Sequence, residues 1–293
     1  MANLRDIKQR ITSVQSTSQI TRTMEMVATA KIKKAQEKIE SARPYSFAMM
    51  EVLGNVARFV QGASHPLLEE HAERKRAMVV TITSDRGLCG AFNSNILHIT
   101  EDLIRSERDA GVETDVVAVG KKAIGYLRYR GIEPVMSYRD ISDKPTFAEA
   151  RSIAAHIIPR YEAGELDAAY VVFNRFKNVA EQRPETYQLL PIEQRVMEAE
   201  EEGGVHAEYL FEPTAAAVLE HLLPTYVETL VYRALMESAA AEQGARRTAM
   251  KSATDNASEI ITTLTRSYNR ARQAAITTEI AEIVGGAAAL EEA

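Results

Sequence analysis

The chain is poor in the residues that build disulfide scaffolds, metal centres and membrane spans. Its 293 residues include one cysteine, Cys89, and no tryptophan. A single cysteine excludes an intrachain disulfide and any metal site made of several thiolates, and it fits a reducing compartment. The six histidines are scattered along the chain without metal-ligand spacing, so we predict no metal site.

Long apolar runs are also missing. The first residues lack the apolar core of a signal peptide. The most apolar segment, residues 276–290, is shorter than the roughly 20 residues that cross a bilayer, and it contains Glu279 and Glu282. We therefore expect a cytosolic or peripheral protein without a membrane anchor.

Positive charge is concentrated near the start of the chain, although the net charge is −6. Residues 1–43 contain nine Lys and Arg against four Asp and Glu, a local balance of nine minus four, or +5. Four of these cations form a basic arm, Lys31, Lys33, Lys34 and Lys38. Because the arm lacks interleaved aromatic residues, a solvated helix face or docking to an acidic protein partner is favoured over nucleic acid.

Two long helices are predicted, one at each end of the chain. The first covers about residues 4–58, where strong helix formers dominate, and Pro44 either kinks or breaks it. The last starts near Pro213, a residue that suits a first helical position, and reaches about Leu290. Its expected irregularities are Pro224, Gly244 and Gly285-Gly286.

Both helices carry apolar or small residues at steps of three and four, the spacing that keeps a seam on one side of a supercoiled helix. In the first helix the seam is Leu4, Ile7, Ile11, Val14, Ser18, Thr21, Ala28, Ile32, Ala35 and Ile39. In the last it is Met250, Thr254, Ala257, Ile261, Leu264, Tyr268, Ala271 and Ala275. Because a seam needs a partner, we expect the two termini to wind together.

The middle of the first seam is polar, which costs a purely structural coiled coil stability. Ser18, Thr21 and Glu25 lie on the seam, whereas Ile20, Met24 and Val27 line up on an adjacent face. Arg266, Arg270, Arg272 and Gln273 surround the seam of the last helix in a similar way. Either the register drifts, or both helices have a second, outward surface for another partner.

Between the helices, strand patterns alternate with helix patterns, which is typical of a parallel sheet with right-handed crossovers. We predict strands at residues 78–83, 116–119, 134–136 and 169–174, and helices at 94–110, 121–130 and 147–163. Residues 185–190 and 209–211 are candidate edge strands. The predicted fold class is α/β, with a Rossmann-like central domain (77–208) between a coiled-coil helix at 1–60 and another at 209–293.

The loop at residues 84–93 lies where a phosphate-binding loop would lie, after a first strand and before a helix. Its two glycines are spaced Gly-x-x-Gly, without the three-glycine fingerprint or the Gly-Lys-Ser/Thr sequence of nucleotide sites. A glycine-assisted turn is therefore favoured over a cofactor site. A structural role is likewise favoured for Cys89, because a nucleophilic cysteine needs a base positioned by a third group.

Taken together, these motifs resemble the γ subunit of the F-type ATP synthase along the whole chain. In the first helix the similar positions are 10–14, 17, 19–21, 24–28 and 31. In the middle they are 85–90, 93 and 211–213. In the last helix they are 249–251, 253–254, 256–257 and, most specifically, 276–279, 282–284 and 286–287.

The resemblance implies a rotor shaft. In that family the terminal helices form an antiparallel coiled coil inside a hexamer of alternating α and β subunits, and the Rossmann-like domain lies against the ε subunit and the c-subunit ring. Nucleotides bind on the hexamer, so the resemblance implies no catalytic residue, cofactor or metal on this chain. It implies a peripheral location on the cytoplasmic face of the bacterial plasma membrane, where rotation couples proton flow to ATP synthesis or hydrolysis.

The family's contact residues carry over as expectations. Contacts with the α/β hexamer are expected at Met24, Arg246, Arg272, Gln273, Thr277, Glu279, Ile283, Val284 and Leu290. Contacts with the c ring are expected at Tyr209 and Glu212, and the basic arm is expected to face acidic subunit surfaces. The residues alone leave two alternatives, a Rossmann-type nucleotide-binding enzyme with helical dimerisation arms and a nucleic-acid-binding coiled coil.

Overall fold

A computed structural model describes residues 4–59, 65–193, 212 and 214–291 of the chain. The helices are α1 (Leu4–Phe59), α2 (Phe92–Asp109), α3 (Lys121–Tyr129), α4 (Phe147–Glu162) and α5 (Ala215–Glu291), with one 3-10 turn at Pro66–Leu68. The strands are β1 (Arg76–Ile82), β2 (Glu113–Val119), β3 (Met136–Tyr138), β4 (Ala168–Phe176) and β5 (Gln182–Leu190).

The two terminal helices have close to their predicted bounds, and each is continuous. Pro44 lies inside α1, so the alternative of a break at that residue is wrong. In α5, Pro224 lies inside the helix, and the helix also continues through Gly285 and Gly286, so the interruption expected there is wrong. The expected start near Pro213 is close, since α5 begins at Ala215.

The five strands form one sheet in the order β3-β2-β1-β4-β5. The first four are parallel, as predicted, with Val80 opposite Val117 on one side and Val171 on the other. The candidate strand at 185–190 is the antiparallel edge strand β5, because a connection of only a few residues after β4 cannot reach a parallel register. The third strand begins two residues later than predicted, and the candidate strand at 209–211 lies outside the described residues.

The central strands are buried on both faces, because successive side chains point to opposite faces of the sheet and helices cover both. Met78, Val80 and Ile82 of β1 point into the main core, which also contains Leu53 from α1 and Leu223 from α5. On the opposite face, Val79 packs with Ile96 of α2, and Ala118 of β2 packs with residues of α3.

The chain divides into two compact units. One, the α/β unit, is Ala28–Arg246 and contains the sheet together with parts of α1 and α5. The other, the helical unit, is Met1–Val27 with Arg247–Ala293. The unit boundaries therefore fall inside the two long helices, which run on from one unit to the other.

The helical unit confirms the seam predicted from sequence. In α5 all eight seam residues from Met250 to Ala275 are buried or half-buried, and most of the residues between them are exposed. The polar seam position Thr21 is 8% exposed, and its hydroxyl lies 2.7 Å from the hydroxyl of Thr254. The polar pair thus satisfies its own hydrogen bonds across the seam, and α1 and α5 run antiparallel.

Candidate functional site

The helical unit ends in a stretch of α5 that has no neighbour among the described residues. Because Thr21 meets Thr254 in antiparallel helices, Leu4 lies level with about Ala271. Beyond this level α5 continues to Glu291, a length of about 30 Å at 1.5 Å per residue. Every described side chain at positions 276–287 is exposed. We call residues 276–291 the tip.

The tip exposes apolar side chains that water does not favour. Ile276, Ile280, Ile283 and Val284 are 46%, 56%, 71% and 62% exposed. Leu290 lies in the same helix, but its side chain is outside the described set. An exposed apolar stripe of this kind marks a surface that another molecule covers.

The polar residues expected to contact the hexamer lie on the same part of α5. Arg272, Gln273 and Glu279 are exposed, and the described residues offer no ion-pair partner to Arg272. Thr277 is exposed too, but its hydroxyl donates to the carbonyl oxygen of Gln273 at 2.9 Å. The helix therefore presents a guanidinium, an amide and a carboxylate within two turns.

The outward surface on α1 is also present. Ile20 and Val27 are 60% and 51% exposed, while Met24 is half-buried between this surface and the seam. The adjacent apolar face recognised in the sequence is thus a separate surface from the seam. Which partner covers it stays a prediction.

Arg246 differs from the other predicted contact residues because it points into the α/β unit. It is 8% exposed, and its guanidinium lies 2.7 Å from the Glu242 carboxylate and donates to the carbonyl oxygen of Gly87 at 3.3 Å. Burial raises the pKa of Glu242, and the neighbouring charge of Arg246 offsets part of that rise. The hexamer contact of Arg246 stays a prediction, but this side chain already has two partners in its own chain.

The loop after β1 is held together from within. Asn93 accepts from the backbone amide of Ser84 at 2.9 Å, and its side-chain amide lies 3.2 Å from the Cys89 sulfur. Cys89 is 2% exposed, and burial raises the pKa of its thiol. A buried thiol with a raised pKa is a poor nucleophile, which agrees with the structural role favoured from sequence.

Asp85, in the loop after β1, occupies the N-terminus of α3, the helix that follows β2. Its carboxylate accepts from the backbone amide of Lys121 at the start of α3, and from those of Asp140 and Ser142, at 3.0 to 3.2 Å. Burial would raise the pKa of Asp85, but these hydrogen bonds outweigh it and the pKa is lowered. A helix N-terminus that is occupied by a carboxylate repels a phosphate instead of binding it.

The crevice between β1 and β4 is filled as well. Ligands of open parallel sheets bind where the strand order reverses, at the carboxyl ends of the strands. Here Ala241 of α5 packs against Cys89 and Phe92, with Phe176 and Ala245 beside them. Gly244 leaves room for the end of the Gln182 side chain, since a Cβ at that position would lie 2.8 Å from the Gln182 side-chain amide. This glycine therefore lies where α5 faces β5.

The remaining predicted residues are only partly described. Tyr209 lies outside the described residues, and Glu212 is exposed. In the basic arm Lys33, Lys34 and Lys38 are exposed, whereas Lys31 is half-buried and pairs with Asp143 at 2.6 Å. No helix in the described ranges combines the length and apolar character of a membrane span, and the same residues contain no His, Cys, Asp and Glu cluster suited to a metal.

Sequence reasoning missed three polar residues that organise this part of the molecule. They are Asp143, Glu242 and Ser142, and each lies in a segment that carries no motif. Asp85 was within a recognised motif, but its role as an acceptor for three backbone amides required the positions of β3 and α3. The nearest sequence signal was the presence of two charged residues, Glu242 and Arg246, one helical turn apart.

A sheet domain whose ligand crevice is filled by one of two long helices, with a bare apolar tip on that helix, defines a stalk protein that works through contacts with other chains. Comparison with known proteins agrees with this class.

A sequence model of a family described as ATP synthase matches residues 3–290. The ATP synthase gamma chain of Desulforamulus reducens is 52% identical over 291 residues, covering 99% of this chain and all of the relative. That of Pelotomaculum thermopropionicum is 48% identical over 293 residues, with the same coverage. The chain belongs to the ATP synthase gamma chain family.

Solved structures have the same fold. A chain in the cryo-EM structure of the central stalk and c ring of the Tetrahymena thermophila mitochondrial ATP synthase is 27% identical, with a TM-score of 0.58. The alignment covers 80% of this chain and 99% of that one. A chain in the cryo-EM structure of the Euglena gracilis mitochondrial enzyme, which includes F1 and the c ring, reaches a TM-score of 0.64 at 18% identity, with 98% and 94% covered. This family forms the central stalk of the F-type ATP synthase.

Proposed function

We propose that this chain is the rotor shaft of a proton-translocating F-type ATP synthase. It turns inside a hexamer of α and β subunits and couples proton flow through a c-subunit ring to ATP synthesis or hydrolysis at the β subunits. The observation that carries the proposal is the tip, a single helix with exposed apolar side chains at the end of a long helix pair. Family membership supplies the setting.

The composition of the tip suits a bearing. Its exposed apolar and small residues are isoleucine, valine, alanine and glycine, beside Thr277, Thr278, Glu279 and Glu282. Dispersion contacts between the apolar groups and an apolar sleeve have no preferred direction. A helix of this kind can change its angle without breaking strong bonds. We place Ile283, Val284 and Leu290 in this bearing.

The polar residues at the start of the tip and just before it would supply the angular preference. Arg272 can make charge-assisted hydrogen bonds to carboxylates of a β subunit, and Gln273, Thr277 and Glu279 lie beside it on the exposed helix. A contact favours one angular state of the shaft only if its strength differs between the states. A few such contacts near one β subunit at a time would favour one angular state without locking the shaft.

The other predicted surfaces are assigned to the lower part of the stalk. Glu212 and Tyr209 would meet the c ring, and the cations of the basic arm would face acidic surfaces of neighbouring subunits, with an ε subunit against the α/β unit. Since the relatives are bacterial proteins, the peripheral location we propose is the cytoplasmic face of the plasma membrane. All membrane association would pass through the complex.

The chain itself would be non-catalytic. The support for this is that α5 packs into the sheet crevice where ligands of such folds bind. The alternative, a Rossmann-type nucleotide-binding enzyme, would need a ligand site at this crevice. Micromolar binding of ATP, NAD or a flavin to the isolated chain, measured by calorimetry, would overturn the non-catalytic assignment.

Co-purification tests the proposal as a whole. An affinity tag on this chain, expressed with the ATP synthase operon of its own organism, should recover α and β subunits with one copy of this chain per hexamer. The expected result is a complex that hydrolyses ATP and pumps protons in membrane vesicles. Recovery of the chain without α and β subunits would contradict the proposal.

Removing the tip should separate coupling from folding. Deletion of residues 276–293 is expected to lower ATP synthesis in vesicles by at least about fivefold, the lower end of typical coupling free energies between sites. The α/β unit should keep its melting temperature, since the tip contributes nothing to its core. Deletion of residues 292–293 alone is the control, and synthesis at the wild-type rate in the longer deletion would disprove the bearing.

A further inference from the structure

One carboxylate in the α/β unit is shared by both long helices. Asp143, in the loop between β3 and α4, accepts from the Lys31 ammonium of α1 at 2.6 Å through one oxygen. Its other oxygen accepts from the Gln243 side-chain amide of α5 at 3.1 Å. Both oxygens are therefore engaged, and each of them contacts a different helix.

The loop that carries Asp143 is fastened to the sheet through its neighbour. The backbone amide of Ser142 donates to the Asp85 carboxylate at 3.2 Å. The Ser142 hydroxyl accepts from the backbone amide of Asp85 at 3.0 Å. Asp85 in turn holds the start of α3 through Lys121. A short path of hydrogen bonds thus joins the carboxyl edge of the sheet to α1 and α5.

We infer that Asp143 is a positioning residue that makes the α/β unit, α1 and α5 turn as one body when torque passes through them. The inference rests on the proposed function, since it concerns how a rotor transmits rotation. Without Asp143, the described contacts leave the sheet edge linked to α5 through Arg246 and Gly87, but not linked to Lys31 of α1. Rotation of the sheet would then reach α1 through the apolar core and through its seam with α5.

The charges around Asp143 explain why its contribution is specific. Lys34, Lys38 and Lys144 line the same shallow groove as Lys31 and Gln243, and Glu242 lies one residue from Gln243 on α5. Asp143 is thus the acid that faces a group of lysines. Because the Lys31 and Asp143 side chains are 37% and 43% exposed, salt will screen their attraction.

The test uses the assembled complex in inverted membrane vesicles. Asp143→Ala is expected to lower the protons pumped per ATP hydrolysed by about two- to threefold, the size of effect an exposed pair supports, and to do so more at low salt. Hydrolysis itself should stay near the wild-type rate. Asp140→Asn is the matched control, because Asp140 is in the same loop and pairs with Lys121 at 2.5 Å without contacting either long helix.

A charge exchange provides the rescue. In the double variant Lys31→Asp with Asp143→Lys the pair is restored in reverse, and Gln243 can present its carbonyl oxygen instead of its amide. Each single variant should lose coupling. The double variant should regain part of it, since a lysine at position 143 also faces Lys34, Lys38 and Lys144. Failure of the double variant to recover, with both singles impaired, would overturn the positioning role.

Hydrogen exchange on the same complexes separates this inference from the proposed function. Asp143→Ala should speed amide exchange around Lys31 and Gln243 and leave β1 unchanged. Faster exchange with an unchanged pumping ratio would overturn the role of Asp143 in coupling and leave the rotor proposal intact. A wild-type complex that hydrolyses ATP without pumping would instead contradict the proposed function.

Discussion

Replacing Gly120 with alanine is expected to lower the free energy of unfolding of the α/β unit by about 4 kcal/mol, a large value for one methyl group. Gly120 has a φ of 92°, which L residues rarely adopt, and a Cβ there would lie 2.3 Å from the carbonyl oxygen of Thr83. Strain and collision therefore act together. Thermal unfolding of the purified chain, followed by circular dichroism, measures the loss.

The surroundings of Gly120 cannot easily move away. The Gly120 amide donates to the backbone carbonyl oxygen of Tyr138 at 2.9 Å. The Thr83 hydroxyl donates to the Val119 carbonyl oxygen and accepts from the Ala123 backbone amide. Shifting either backbone would break bonds that join β1, β2, β3 and α3. The collision is thus with fixed main chain and not with a flexible side chain.

Gly125 is the matched control for this substitution. It lies on the exposed side of α3, and a Cβ at that position would meet nothing within 4 Å. Gly125→Ala should leave stability unchanged or raise it by up to about 1 kcal/mol through helix propensity. Equal melting temperatures for the two variants would show that Gly120 is not needed for its conformation.

Arg246→Met should cost about 3 kcal/mol at neutral pH, because it leaves the Glu242 carboxylate buried without its partner. The side chains of Arg246 and Glu242 are 10% and 4% exposed, so water cannot replace the lost contact. We expect the melting temperature to fall by roughly 6–12 °C for a unit of this size. Thermal unfolding at pH 7.5 is the measurement.

The stability lost in Arg246→Met should become smaller as the pH is lowered, because of the direction of the Glu242 pKa shift. Burial raises the pKa of Glu242 above its ordinary value near 4.5, so the folded chain binds this proton more tightly than the unfolded chain. Stability from such a group is complete below the unfolded pKa and is lost as the pH rises through the folded one. Without Arg246, which opposes the rise, the folded pKa of Glu242 climbs further.

The groups that face Glu242 define the controls. They are Arg246 on its own helix, Asp143 and Ser142 on the loop after β3, and Cys89 on the loop after β1. The double variant Glu242→Gln with Arg246→Met removes both charges and should be more stable at pH 7.5 than Arg246→Met alone. If the difference between wild type and Arg246→Met were the same at pH 5.5 and pH 7.5, the buried-charge explanation would be wrong.

Features of the fold that depend on local periodicity could be predicted from the sequence. The seam from Met250 to Ala275 and the parallel strands around Val80 and Val117 are patterns of three and four or of continuous β-branched residues, and both were found where expected. The break considered at Pro44 was wrong because packing outweighed a local preference: Met49 and Leu53 in the following turns are held in the core.

Features that depend on distant segments could not be predicted. Arg246 donates to the carbonyl oxygen of Gly87, which lies 159 positions away in the chain. The link from Lys31 to Asp143 likewise joins residues 112 positions apart. From the sequence alone, Gly244 is a weak point in a helix. The structure places the Gln182 side chain against it. In each case the residue type was visible, but its neighbour was set by how the sheet brings loops and helices together.

Because α5 continues beyond α1, the helical unit has a paired part and a single-helix part, and the two differ in bending stiffness. Where two helices lie side by side, the cross-section is oblong, so bending is resisted more in the plane that contains both axes than across it. Beyond about Ala271 the cross-section is a single round helix, which bends equally in every direction and much more easily. A shaft built this way has flexural stiffness that depends on angle along its paired part and not at its end.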